Sequence, residues 1–285
     1  MFRSWYWLVP ALITLILIVA VAIWGNCLLT MPWGNVGLNV VSDFFFVVFL
    51  SLLFGGLYWA MLARARPFFG IDHALLQICI SSHKDETTST KKVLTAEEYE
   101  IAQELRTVLK RQFPDFIPSW ARLFGVNLEA LDIAIIPSPL KDKELGDEEV
   151  TIRSRPGGLI LLGGPTRNSL TAFYLDKGNP WIKFVDEEKK FYVWRNGQGW
   201  QELQDSGRLA LLEKLVVDGK TVIVAFGFGE SGTSAAARHL ANEWKTLLGE
   251  CRKKRQNEFA RLLYINDNGR VQIQEEFFGS PKDAR

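Results

Sequence analysis

Two long apolar runs open the chain. From Trp5 to Trp24 there is no Asp, Glu, Lys or Arg, and Trp5, Tyr6, Trp7 and Trp24 bracket the run. Twenty such residues in a helix reach roughly 30 Å, the thickness of a bilayer's hydrocarbon core. A second run extends from Phe44 to Leu62 and carries Tyr58 and Trp59 near its end. The loop between the runs holds Pro32, Gly34, Asn35 and Gly37 but no Lys or Arg. This pattern predicts two N-terminal transmembrane helices, forming an anchor over residues 1–69. Arg3 precedes the first run, and Arg64 and Arg66 follow the second. The bias places both termini in the cytoplasm of a multi-pass plasma-membrane protein. Neither run has a charged centre, so an anchor in the lipid bilayer is expected rather than an ion pathway. The small pair Gly55 and Gly56 offers a contact for a homo-oligomer through the membrane helices.

Beyond residue 69 the pattern changes to short apolar strands alternating with helical stripes. Residues 75–81 read as a strand and 83–92 as a polar loop. Thr95 and Glu98 form a capping box, ahead of Ile101, Ala102, Leu105, Val108 and Leu109 at helical spacing; Pro114 ends that helix. A short helix is expected over 117–128, a strand over 131–136 and a charged loop over 141–149. The apolar strand 158–162 leads to a helix over 169–175. Residues 181–185 and 191–194 form an aromatic hairpin. The apolar strand 221–226 leads to a helix over 234–248, and a last hairpin pairs 262–265 with 271–275 around Asp267, Asn268 and Gly269. The predicted fold class is α/β: a mostly parallel, three-layer Rossmann-like sheet with antiparallel hairpin additions, forming a cytoplasmic ligand-binding domain over 70–285.

Composition narrows the chemistry. The chain is 48% hydrophobic and 23% charged, yet residues 1–69 contribute only Arg3, Asp43, Arg64 and Arg66 to that charge. A net charge of +1 provides no global field for nucleic acid. The basic run Arg252, Lys253, Lys254 and Arg255 reads as a solvated helix end, with anionic lipid as the alternative contact. Cys27, Cys79 and Cys251 have no paired spacing, and His73, His83 and His239 are dispersed, so neither a disulfide framework nor a metal site is expected.

Two glycine-rich turns carry the candidate site. One is Gly163, Gly164, Pro165, Thr166, Arg167 and Asn168; the other contains Gly227, Gly229, Glu230, Ser231, Gly232 and Thr233. Each follows an apolar strand and precedes a helix, so backbone N–H groups and the helix dipole can face an anion. If the two strands are neighbours, the turns form one composite site for a nucleotide or dinucleotide. The second turn fits G-x-G-x-x-G, but no acidic residue ends a strand about 20 residues on to hold a ribose, and a Walker lysine is absent. Tight turns with Ser and Thr as helix caps are the alternative use of the same residues. Glu230 is the candidate catalytic residue. Ser231 does not lie in a nucleophile elbow, because Thr233 stands where that motif has glycine.

The Gly-Gly-Pro-x-x-Asn and Gly-x-Gly-x-x-Gly-Thr turns resemble the loops of prokaryotic Rossmann-like domains. Some of those are tethered to membrane helices and connected with signalling or defence. The likeness covers roughly residues 158–248. It implies a membrane-anchored sensor that binds a nucleotide-like, phosphate-bearing ligand and signals through helix association. Two other readings fit the same residues: a tethered hydrolase acting on nucleotides or NAD, and a membrane docking protein without a small-molecule ligand that recruits its partner through the aromatic hairpin.

Overall fold

The computed structural model describes residue 46 and residues 65–71, 75–84, 92–112, 131–139 and 151–280, apart from short breaks at 179, 186–187, 189, 196–197 and 205. Phe46 aside, these residues belong to one compact unit formed by residues 64–115 and 129–285. The expected membrane runs lie outside the described residues, again except Phe46, as do the expected helix at 117–128 and the loop at 141–149. Among the described residues no helix is long and apolar enough to cross a membrane.

Seven strands build the main sheet. They are β1 (Leu75–Ile80), β4 (Asp132–Pro137), β5 (Gly158–Leu162), β9 (Leu209–Val217), β10 (Lys220–Gly227), β11 (Phe259–Ile265) and β12 (Val271–Phe278), in the order β12-β11-β9-β10-β5-β1-β4. The run β10-β5-β1-β4 is parallel, while β9, β11 and β12 join it through antiparallel ladders. Two small sheets, β2 (Ser82–Lys84) with β3 (Lys92–Leu94) and β6 (Ile182–Val185) with β7 (Lys190–Arg195) and β8 (Gly199–Glu202), are wholly antiparallel. Antiparallel ladders therefore outnumber parallel ones six to three among the described residues. The expected mostly parallel, Rossmann-like sheet is overturned. The cause is β9, which the sequence pattern did not reveal because Glu213 and Lys214 interrupt its apolar run. It returns through a two-residue turn at Asp218 and Gly219, whose φ values of 51° and 78° are those a tight hairpin requires.

Side-chain alternation divides the core between two faces of the main sheet. On one face Leu159, Leu161, Leu211, Val222 and Val224 pack against Tyr174 of α2 (Ser169–Lys177) and against Ile182, Phe191 and Val193 of the small aromatic sheet. Phe184, Phe191, Phe226 and Phe228 form a ring cluster there, with centroids 5.1–5.9 Å apart. The other face is covered by α1 (Ala96–Gln112) and α3 (Gly229–Lys254), which touch each other. Helical residues Phe68 and Phe69 lie in that layer, Phe68 stacked on Phe259 at 6.0 Å and Phe69 tilted on Trp244 at 5.4 Å. All five residues of β5 are buried, as a strand covered on both faces must be.

Candidate functional site

β5 and β10 are adjacent and parallel, pairing Leu159 with Val222 and Leu162 with Ala225. Both glycine turns therefore leave the same edge of the sheet, beside the ends of β1 and β4. This is the edge where open α/β sheets hold ligands.

At the first turn, Asn168 is fully buried. Its Oδ1 accepts from Leu170 N (3.1 Å) and Thr171 N (3.2 Å), capping α2, while Nδ2 donates to Leu162 O (2.9 Å) and Cys79 O (3.4 Å). Thr171 Oγ1 donates to Gly163 O at 3.0 Å. Ser169 Oγ donates to Pro139 O at 2.8 Å, and its N–H reaches Ser138 Oγ at 3.2 Å. Gly163 has φ of 93°, and a Cβ there would run into Ser81 and Glu98. Gly164 lies under the Phe226 ring. Thr166 and Arg167 are exposed, while Gly164, Pro165 and Ser169 are half-buried.

Glu98 is a component that the sequence reading placed elsewhere. Its carboxylate does not close a capping box with Thr95; it accepts from Ser81 N (2.8 Å) and Ser81 Oγ (3.1 Å). Burial pushes its pKa up, against the two Ser81 bonds and the nearby Arg167 charge, which pull it down. Both oxygens are occupied and the side chain is buried, so Glu98 braces α1 against the end of β1. Ser81, Ser82 and Ser138 belong to the same cluster, and the sequence carries only a weak signal for them: Ser81 and Ser138 each follow directly on an apolar strand.

At the second turn the glycines pack against each other. A Cβ on Gly227 would lie 2.7 Å from Gly232 Cα, and one on Gly232 would lie 2.7 Å from Gly227. Gly229 has φ of 60° with open space around it. Thr233 is buried, and its Oγ1 donates back to Gly229 O at 3.4 Å. Glu230 lies in the first turn of α3, whose N-cap Phe228 offers no side-chain bond. Ser231 is exposed. His239 turns away from Ser231 and meets Arg261 Nη1 at 3.1 Å. Glu250, at the spacing of a ribose-binding acid, pairs with Arg261 Nη2 at 2.5 Å.

A groove of about 270 Å³ does open beside this turn, but α1 rather than the first turn forms its other wall. It is lined by Glu97, Glu100, Glu104, Ser231, Ser234 and Arg238 over Ile101, with Arg238 held by Glu104 at 3.0 Å. Thr166 and Arg167 are not part of it. Three carboxylates against one guanidinium repel a phosphate group. Among the described residues no group of His, Cys, Asp and Glu is placed to hold a metal ion.

Residues 130–244 match the model of a family described as the S-layer like family, outer domain. No curated protein matches the chain. The match covers less than half of the chain, and the family it matches is by its description of a surface-layer type. It overturns the expected location in a plasma membrane with a cytoplasmic domain. It also gives no support to the expected nucleotide-binding, signalling and defence character.

Proposed function

We propose that this chain is a non-catalytic cell-surface module that acts by packing against other protein, as an assembly element of the S-layer-like type. One observation carries the reading. At the ligand-binding edge of the parallel strands, Asn168, Ser169, Thr171, Ser138, Ser81 and Glu98 hydrogen-bond one another and the backbone. A site for a small polar ligand needs convergent groups left free to meet it. The match over 130–244 supports the same reading.

The test uses the full chain in neutral detergent. Sedimentation velocity over a concentration series is expected to show association, and a panel of nucleotides, dinucleotides and cyclic nucleotides is expected to leave the melting temperature unchanged. A ligand at 100 times its dissociation constant would add about 2.7 kcal/mol, a shift easily seen. Such a shift, lost on Arg167→Ala or Ser231→Ala, would replace this reading with ligand sensing at the glycine turns.

A further inference from the structure

A second groove, of about 360 Å³, opens at the other end of the sheet. Its charged lining is Arg153, Lys177 and Lys220 against Asp218, over Phe173 and Val217. The Arg153 guanidinium lies 4.1 Å from the Phe173 ring centroid and Lys177 Nζ lies 5.1 Å from it. Lys177 reaches Asp218 only at 3.9 Å, and both are exposed. Lys220 Nζ donates to the carbonyls of Ile152, Arg153 and Arg155 at 3.0–3.2 Å. Its charge is thus held in place by backbone, and among the described residues no carboxylate bonds to it. Burial, and then the Arg155 charge, pull the Lys220 pKa down to about 8.

The two grooves are complementary in charge and opposite in position. Ser231 and Ser234 of the acidic groove follow the last residue of β10, whereas Val217, Asp218 and Lys220 of the basic groove flank its start. The eight residues of β10 separate them by roughly 25 Å. The acidic groove lies in the α1 and α3 layer, the basic one beside α2 on the other face.

We propose that the grooves are the two halves of one contact between copies, the carboxylate-lined groove of one chain seating on the cation-lined groove of the next. This rests on the assembly reading and gives it a direction. A two-fold pair joining unlike charges would need both grooves in one self-complementary patch, whereas they lie at opposite ends of β10 and on opposite faces of the sheet. With the grooves so placed, a head-to-tail arrangement brings the unlike charges together, and such contacts build open arrays or rings rather than closed dimers. Both surfaces are solvated, so the contact is steered by charge and weakens as salt screens it.

Two charge-reversed full-length variants test the direction. In the first, Glu97→Lys and Glu100→Lys make both ends basic; in the second, Arg153→Glu and Lys177→Glu make both ends acidic. By sedimentation velocity at low salt, wild type is expected to associate and to dissociate at high salt. Each variant alone is expected to associate at least about tenfold more weakly, as like charges meet. An equimolar mixture of the two is expected to regain association, since every contact again joins unlike charges. Circular dichroism checks folding, and the milder Glu100→Gln and Lys177→Gln variants are expected to weaken association in the same sense. Wild type that associates while neither reversal matters would overturn the groove contact and leave the assembly reading standing. A wild type that stays monomeric at every concentration and salt would sink both.

Discussion

Glu213 shows how one side chain can set the pH response of the fold. It is fully buried on β9, where Oε1 accepts from Trp181 N at 2.8 Å and Oε2 has no partner among the described residues. Burial, with Glu258 adding in the same sense, pushes its pKa up to about 8 despite the Trp181 bond. The folded state therefore holds this proton more tightly than the unfolded chain. Its contribution is complete below pH 4.5 and is lost as pH rises from there through 8, at about 1.4 kcal/mol per unit in that window. Denaturant melts at pH 5 and pH 8.5 are expected to show lower stability at the higher pH, and Glu213→Gln is expected to remove most of that difference. An unchanged pH slope in the variant would place the effect on another group. Asn168 gives a second residue-scale expectation. Because it caps α2 and satisfies two carbonyls from inside the core, Asn168→Ala is expected to cost about 2–4 kcal/mol in urea unfolding, more than an exposed cap would. The sequence marked Asn168 as important, but a buried cap and an exposed ligand contact look alike in a sequence; what separates them is the burial that the tertiary fold creates.

Among the elements, the junction of β10 with α3 separates two meanings of glycine. Gly227 and Gly232 are pressed together backbone to backbone, so Gly227→Ala has nowhere to put its methyl group unless the strand and helix part. Gly229 needs only its positive φ and has free space around it. Thermal melts are expected to show Gly227→Ala destabilised by about 3 kcal/mol or more, as for overpacking at a rigid contact, and Gly229→Ala by only about 1 kcal/mol. Equal losses would mean that the close approach does not constrain the motif. The G-x-G-x-x-G spacing is accounted for by this packing. The strand, the turn and the following helix were readable from apolar runs and glycines, as were α1, α2, the aromatic hairpin and the β11–β12 hairpin. β9 was not. Its Glu213 and Lys214 break the apolar run, although the Asp218-Gly219 pair between two β-branched runs was a hairpin signal available in the sequence. That one omission changed the sheet from mostly parallel to mixed.

In the whole molecule, sequence order and spatial order diverge in a way that bears on what can fold by itself. The segment 130–244 that matches the S-layer-like family contains β4, β5, the aromatic sheet, β9, β10 and most of α3. It lacks β1, which lies between β4 and β5 and hydrogen-bonds to both. It also lacks β11, which pairs with β9 along six residues and is buried over Phe259–Leu263. Without β1, strand β4 has no neighbour in the sheet; without β11 and β12, Trp181 loses its stacking on Phe277 and its bond to Gly279 O. The aromatic sheet would then be tied to the rest largely through its phenylalanine cluster. Expressed alone, residues 130–244 are expected to lack a cooperative thermal transition and to bind a hydrophobic dye, because the surfaces that β1 and β11 cover become exposed. A cooperative melt of that fragment, with amide protection across β5 and β10, would show that the family-like segment is an autonomous domain with the flanking strands as accessories. The interleaving in the sheet argues the reverse: the flanking strands complete the core, and the surfaces offered to other copies belong to the fold as a whole. The carboxylate-lined groove reflects this, since α1, which supplies its glutamates, lies outside the matched segment while Ser231, Ser234 and Arg238 lie inside it.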